Sequence, residues 1–163
     1  MLKNTQELLE NIGDLLREKG WTVSVAESCT GGLLGSLLTS IPGSSDYFSG
    51  GVIAYSDEVK KSLLSVSART LEKFGAVSEE VVKEMARNVR RLLGTDIGIA
   101  VSGIAGPAGG SEKKPVGTVV LGVDIHGKII TNIVQLDGGR NEIREMAGIK
   151  VLEMLKKMLE EIK

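Results

Sequence analysis

The chain has 163 residues, enough to bury a core without disulfides or metal staples and consistent with one domain over 1–163. Lys and Arg number 20 against 21 Asp and Glu, a net charge of -1, and aromatics are 3%, which excludes a general basic surface for nucleic acid or membrane and a stacking platform for single strands. One cysteine rules out an internal disulfide, and one histidine beside it does not build a conventional zinc site, so neither metal nor cofactor is expected.

In chain order, residues 5–19 place Leu8, Leu9, Ile12, Leu15 and Leu16 at helical spacing, and Gly20 ends that helix. The N-terminus shows no signal-peptide stretch and no apolar run reaches the ~20 residues of a membrane span, so the expected location is cytoplasmic. Residues 21–26 read as a strand. The cluster Ser28-Cys29-Thr30-Gly31-Gly32 turns it into a short helix over 30–40. After the turn residues 41–45 comes a second strand, 51–55, and a short helix, 57–64, with a cap signal at Ser56 and Asp57. A further helical turn or two spans 67–74. Ser78 opens a long amphipathic helix that ends at Gly94.

Residues 96–102 are apolar almost throughout, as befits a central strand covered on both faces. A glycine-rich loop follows over 103–115, long for a compact domain and therefore a candidate binding loop. Residues 116–125 and 128–136 are two strands joined by the hairpin signal His126-Gly127, and a last helix covers 141–162. Helices between the first three strands and a terminal hairpin give an α/β domain: a three-layer α/β/α sandwich on a mixed, roughly five-stranded sheet. Ligands of such sheets sit at the carboxyl ends of the parallel strands, here residues 27–32, 55–60 and 103–111.

The first of these segments offers two nucleophiles, Ser28 and Cys29. The N–H groups of residues 29–32 are candidate oxyanion donors, at Thr30, Gly31 and Gly32 in particular. Helix capping explains a single hydroxyl equally well. His126 lies at a hairpin turn on the far side of the sheet, which argues against a Ser-His-Asp triad. The remaining base is a lysine of lowered pKa; Lys60, on the first turns of the helix after the second strand, is best placed, although a solvated surface charge is the ordinary state of a lysine. Tyr55 can orient such a pair or simply pack. The 103–111 loop, with Gly103, Ala105 and Gly106, matches neither a P-loop nor a dinucleotide fingerprint, and Arg140 is a candidate clamp for carboxylate or phosphate. Glu112-Lys113-Lys114 reads as a solvated loop tip.

Taken together, Val25-Ala26-Glu27-Ser28-Cys29-Thr30-Gly31-Gly32, Gly43-Ser44-Ser45, residues 51–60, Gly75-Ala76-Val77-Ser78, Ser102-Gly103-Ile104-Ala105-Gly106-Pro107 and Lys114-Pro115-Val116-Gly117-Thr118-Val119 resemble the CinA C-terminal domain family, in order over nearly the whole chain. The resemblance implies a nicotinamide-nucleotide amidase in a stand-alone form. Such an enzyme hydrolyses the carboxamide of nicotinamide mononucleotide to nicotinate mononucleotide and ammonia. It further implies Ser28 as nucleophile, Lys60 as its partner base, and Tyr55 and Arg140 as matching site residues. Asp57 stands where the family more often has Asn, and Gly139 where it often has Asp. The alternatives are a silent nucleotide-binding domain or a Ser-Lys amidase of another small amide. The partner expected is the small nucleotide substrate. The apolar stripes of the first and last helices suit a homo-oligomer or simply cover the sheet.

Overall fold

The computed structural model describes residues 3–162. Its elements run α1 (Lys3–Lys19), β1 (Val23–Glu27), α2 (Leu33–Thr39), β2 (Phe48–Ile53), α3 (Asp57–Ser62), α4 (Ala68–Phe74), α5 (Glu79–Leu93), β3 (Ile97–Gly103), β4 (Thr118–Ile125), β5 (Lys128–Gln135) and α6 (Arg140–Glu161). The sheet order is β2-β1-β3-β4-β5. Strands β2, β1 and β3 are parallel, while β4 runs against both β3 and β5. This is the expected mixed five-stranded sheet of an α/β fold. Among the described residues no helix is long and apolar enough to cross a membrane.

Strand alternation assigns the two cores. Val23, Val25, Ile97, Ile99 and Val101 point to the face covered by α1, α2 and α6, where Leu9, Ile12, Leu34, Leu38, Val151 and Leu155 complete the larger cluster. The opposite face presents small residues. Ala26 and Ala100 pack there on Val82, Met85 and Ala86 of α5, with Leu64, Val66 and Leu71 beside them. Smallness is required on that face: a Cβ built on Gly98 would stand 2.0 Å from the Ala86 carbonyl oxygen. The helix therefore lies close against the sheet.

The same alternation separates two neighbours at the end of β1. Glu27 falls on the α2 face, in line with Val25, and Ser28 falls on the opposite face, in line with Ala26. Several element boundaries differ by a few residues from the sequence expectation, and two of them matter for the site. Helix α2 begins at Leu33 rather than residue 30, because Gly31 and Gly32 take left-handed backbone at φ +57° and +101°. Strand β2 ends at Ile53 rather than residue 55. Ala54 and Tyr55 thus leave the sheet, and their carbonyls are free to receive another donor.

Candidate functional site

Ser28 sits one residue past β1, 8% exposed, with its backbone N–H donating to the Val101 carbonyl at 3.0 Å. Lys60 reaches it from α3. That helix is started by Ser56, whose side chain accepts the Val59 N–H, and Lys60 lies on its inner side, only 1% exposed. Its Nζ is 3.1 Å from Ser28 Oγ, 2.9 Å from the Ala54 carbonyl oxygen and 3.3 Å from that of Tyr55. Burial lowers the Lys60 pKa from its ordinary 10.5; the Asp57 carboxylate, 3.8 Å from Nζ, works against that shift.

These groups open on a cavity of about 280 Å³ lined by Ser28, Cys29, Tyr55, Asp57, Lys60, Ser102, residues 103–106, Ala108, Gly109 and Arg140, with Ala76 and Val77 as a further wall. It lies at the carboxyl ends of β1, β2 and β3, the position expected for a parallel sheet. Arg140 is the first residue of α6 and spans the mouth, donating to the Gly106 carbonyl oxygen at 2.7 Å and to Tyr55 Oη at 3.0 Å. Gly103, Ala105 and Gly106 all line the cavity, but the bare backbone at the two glycines has a packing cause. A Cβ at Gly103 would come within 2.8 Å of Val119 Cγ2, and one at Gly106 within 2.5 Å of Val116 Cγ1. Among the described residues no cluster of His, Cys, Asp and Glu could hold a metal ion.

Three sequence expectations change. Thr30, Gly31 and Gly32 do not line the cavity. The Gly31 N–H closes a turn onto the Ser28 carbonyl at 3.1 Å, and the Gly32 N–H is taken by Glu27. Thr30 Oγ1 is fully buried and, among the described residues, has no hydrogen-bond partner. The amino end of α2 is therefore no open anion site. The Glu27 carboxylate, 1% exposed, accepts from the N–H groups of Gly32 at 3.0 Å, Leu34 at 3.0 Å and Gly35 at 2.8 Å. Nor is Ser28 a helix cap, since Glu27 performs that role from the other face. Lys114, expected in a solvated tip, donates to the Phe74 carbonyl oxygen at 2.8 Å and ties the long loop to the end of α4.

Cys29 lines the cavity, but burial pushes its thiol up to about 11, so the thiolate needed for attack is scarce near neutral pH. His126 lies at the opposite end of the sheet, its ring edge-on to Trp21 with centroids 4.7 Å apart and its Nδ1 3.8 Å from Asp96 Oδ1. Arg144 escaped the sequence reading. From α6 it donates to the Cys29 carbonyl oxygen at 3.1 Å and to that of Thr30 at 3.0 Å, holding the turn after Ser28. It stands one helical turn after Arg140, and that i, i+4 pairing of arginines was the signal available.

The sequence profile of the CinA C-terminal domain matches residues 5–159. A CinA-like protein of Synechocystis sp. is 53% identical over 152 residues, covering 91% of this chain and 36% of that protein. One from Thermotoga maritima is 47% identical over 156 residues, covering 96% and 38% respectively. The chain thus spans little more than a third of these curated relatives. Two solved structures match along nearly their whole length. The competence damage-inducible protein A of Klebsiella pneumoniae superposes with a TM-score of 0.94 at 36% identity, covering 98% of this chain and 99% of that one. The competence/damage inducible protein of Agrobacterium tumefaciens also gives 0.94, at 38% identity and coverages of 99% and 98%. The chain belongs to the CinA C-terminal domain family.

Proposed function

We propose that this domain is a Ser-Lys amide hydrolase that converts nicotinamide mononucleotide and water to nicotinate mononucleotide and ammonia. The observation that carries the reading is the buried Lys60 Nζ 3.1 Å from Ser28 Oγ at the floor of an open cavity. To act as a base Lys60 has to shed a proton, and burial favours the neutral amine while Asp57 opposes it. The ammonium donates its three N–H groups to the Ala54 and Tyr55 carbonyls and Ser28 Oγ; once neutral, with two N–H groups on the carbonyls, it turns its lone pair to the Ser28 hydroxyl.

In the first step Lys60 takes the hydroxyl proton as Ser28 Oγ attacks the carboxamide carbon. The negative charge of the tetrahedral intermediate falls on the former carbonyl oxygen. With the Gly31 and Gly32 N–H groups engaged, the N–H groups of this turn left to meet it are those of Cys29, on the residue following the nucleophile, and Thr30. The Lys60 ammonium then protonates the amide nitrogen, the C–N bond breaks and ammonia leaves. Water, deprotonated by Lys60, attacks the ester; the C–O bond to Ser28 breaks and Oγ regains a proton from Lys60. In this reading Arg140 and the loop of Gly103, Ala105 and Gly106 meet the ribose phosphate and Tyr55 orients Arg140, supported by their shared cavity and the Arg140–Tyr55 hydrogen bond.

The test is ammonia release from nicotinamide mononucleotide. Ser28→Ala and Lys60→Met should each lose activity by a factor on the order of 10³ or more while keeping the wild-type circular dichroism spectrum. Lys60→Arg should not rescue, because a guanidinium stays protonated near neutral pH. Turnover by folded Ser28→Ala near the wild-type rate would remove Ser28 as nucleophile. Binding of the mononucleotide by the wild type without ammonia release would remove the hydrolase reading.

A further inference from the structure

Asp57 contributes the one carboxylate among the residues that line the cavity. A negative charge there is unfavourable for admitting a phosphate-bearing substrate, so its position needs another reason. Its side chain is 62% exposed and makes no bidentate pair; its Oδ1 stands 3.8 Å from Lys60 Nζ, one helical turn away on α3. The other titratable or charged groups facing that amine are the Cys29 thiol from the turn after β1, the Tyr55 phenol from the segment after β2, and Arg140 from α6. The Tyr55 phenol accepts from Arg140, so it is turned toward the mouth. Arg144, the second arginine of α6, is occupied behind the turn by the Cys29 and Thr30 carbonyls. Asp57 is therefore the near anion for Lys60.

Resting on the Ser-Lys reading above, we propose that Asp57 is a positioning residue that sets the pH range in which Lys60 acts as a base. A carboxylate that close favours the ammonium and moves the onset of base catalysis toward higher pH, against the effect of burial. In return it stabilises the ammonium that forms when Ser28 gives up its proton, the state that must persist until ammonia leaves. The geometry thus couples base strength to proton retention: a less basic amine accepts the Ser28 proton less readily, and a more basic one spends less time neutral.

Two readouts separate this role from that of an ordinary acidic residue at a helix start. Lysine labelled with carbon-13 at Cε reports the Lys60 titration by NMR, assigned by the signal missing in Lys60→Arg; kcat/KM for ammonia release is profiled over the same pH range. At a partly solvated 3.8 Å separation, Asp57→Asn should lower the Lys60 midpoint by about one pH unit. The acidic limb of kcat/KM should move down with it. Asp57→Glu, which keeps the charge, should leave the midpoint close to wild type. A midpoint that stays put or rises in Asp57→Asn overturns the proposal, as does a fall in melting temperature or a rise in KM with no movement of the midpoint. If the wild type releases no ammonia, the amidase reading fails, and the NMR titration alone still decides whether Asp57 governs Lys60.

Discussion

Replacing Glu27 by Gln keeps the shape of the side chain and removes its charge at the one place where three helix N–H groups converge. The carboxylate takes the Gly32 and Leu34 N–H groups on Oε2 and the Gly35 N–H on Oε1, at 1% exposure. A hydrogen bond to a charged group contributes roughly 1.5–3 kcal/mol and a neutral one roughly 0.5–1.5. Glutamine has a single acceptor oxygen. Placed at Oε2 it keeps the Gly32 and Leu34 bonds at neutral strength and turns an NH2 group on the Gly35 N–H, which is left unpaired. Weakening two bonds and orphaning one donor costs about 4 kcal/mol, and the easier burial of a neutral amide offsets about 1, leaving about 3 kcal/mol. For a chain of this size that is a fall of about 6–12 °C in melting temperature. Urea denaturation followed by circular dichroism, with scanning calorimetry beside it, measures both numbers. Glu27→Asp, a methylene shorter, should lose an intermediate amount because it keeps the charge but does not span from Gly32 to Gly35. A loss under about 1 kcal/mol in Glu27→Gln would refute the assignment of this carboxylate as the cap of α2.

Two further outcomes test the site from other sides. Because burial holds the Lys60 pKa below 10.5, the unfolded chain binds more protons than the folded one between that lowered value and 10.5, so stability rises with pH across this window. Lys60→Met abolishes the difference; its stability relative to wild type should be greatest near pH 7 and decline toward pH 10 in chemical denaturation, and parallel curves would contradict a buried, depressed amine. Arg144→Met removes both donors to the Cys29 and Thr30 carbonyls, and kcat for ammonia release should fall about 10–100-fold with KM changed much less, since a loosened turn misplaces Ser28 while Arg140 and the loop remain. A change confined to KM would place Arg144 at the substrate instead.

Much of the architecture is legible in residue order because its causes are local. Apolar spacing, the serines that cap α3, α4 and α5, the stop at Gly94 and the His126-Gly127 turn each act within a few residues, and the elements appear where those signals stand. The sheet ends at which Ser28, Lys60 and the long loop meet also follow from strand order. The two boundaries that shift at the site reflect local competition. Gly31 and Gly32 adopt a left-handed turn that their helix-like neighbours conceal, and Ala54-Tyr55 has strand composition but leaves the sheet.

The sequence alone determined the α/β class, the mixed sheet and the small set of side chains able to do chemistry in a chain with one histidine and one cysteine. How those side chains divide their work follows from contacts across the fold. Strand alternation is a two-residue rule, but what stands opposite each face comes from residues far along the chain. Glu27 meets α2 and becomes its cap, whereas Ser28, one position on, meets Lys60 from 32 residues away. The Cys29 thiol is pushed up, and the Lys60 amine held down, by burial that neither residue's neighbours in sequence reveal. Arg144 likewise reads as a surface cation until α6 folds back and lays it on the Cys29 and Thr30 carbonyls, 115 and 114 positions away. Charge, protonation and access at a site are set by everything within a few ångströms, and here those few ångströms are filled from opposite ends of the chain.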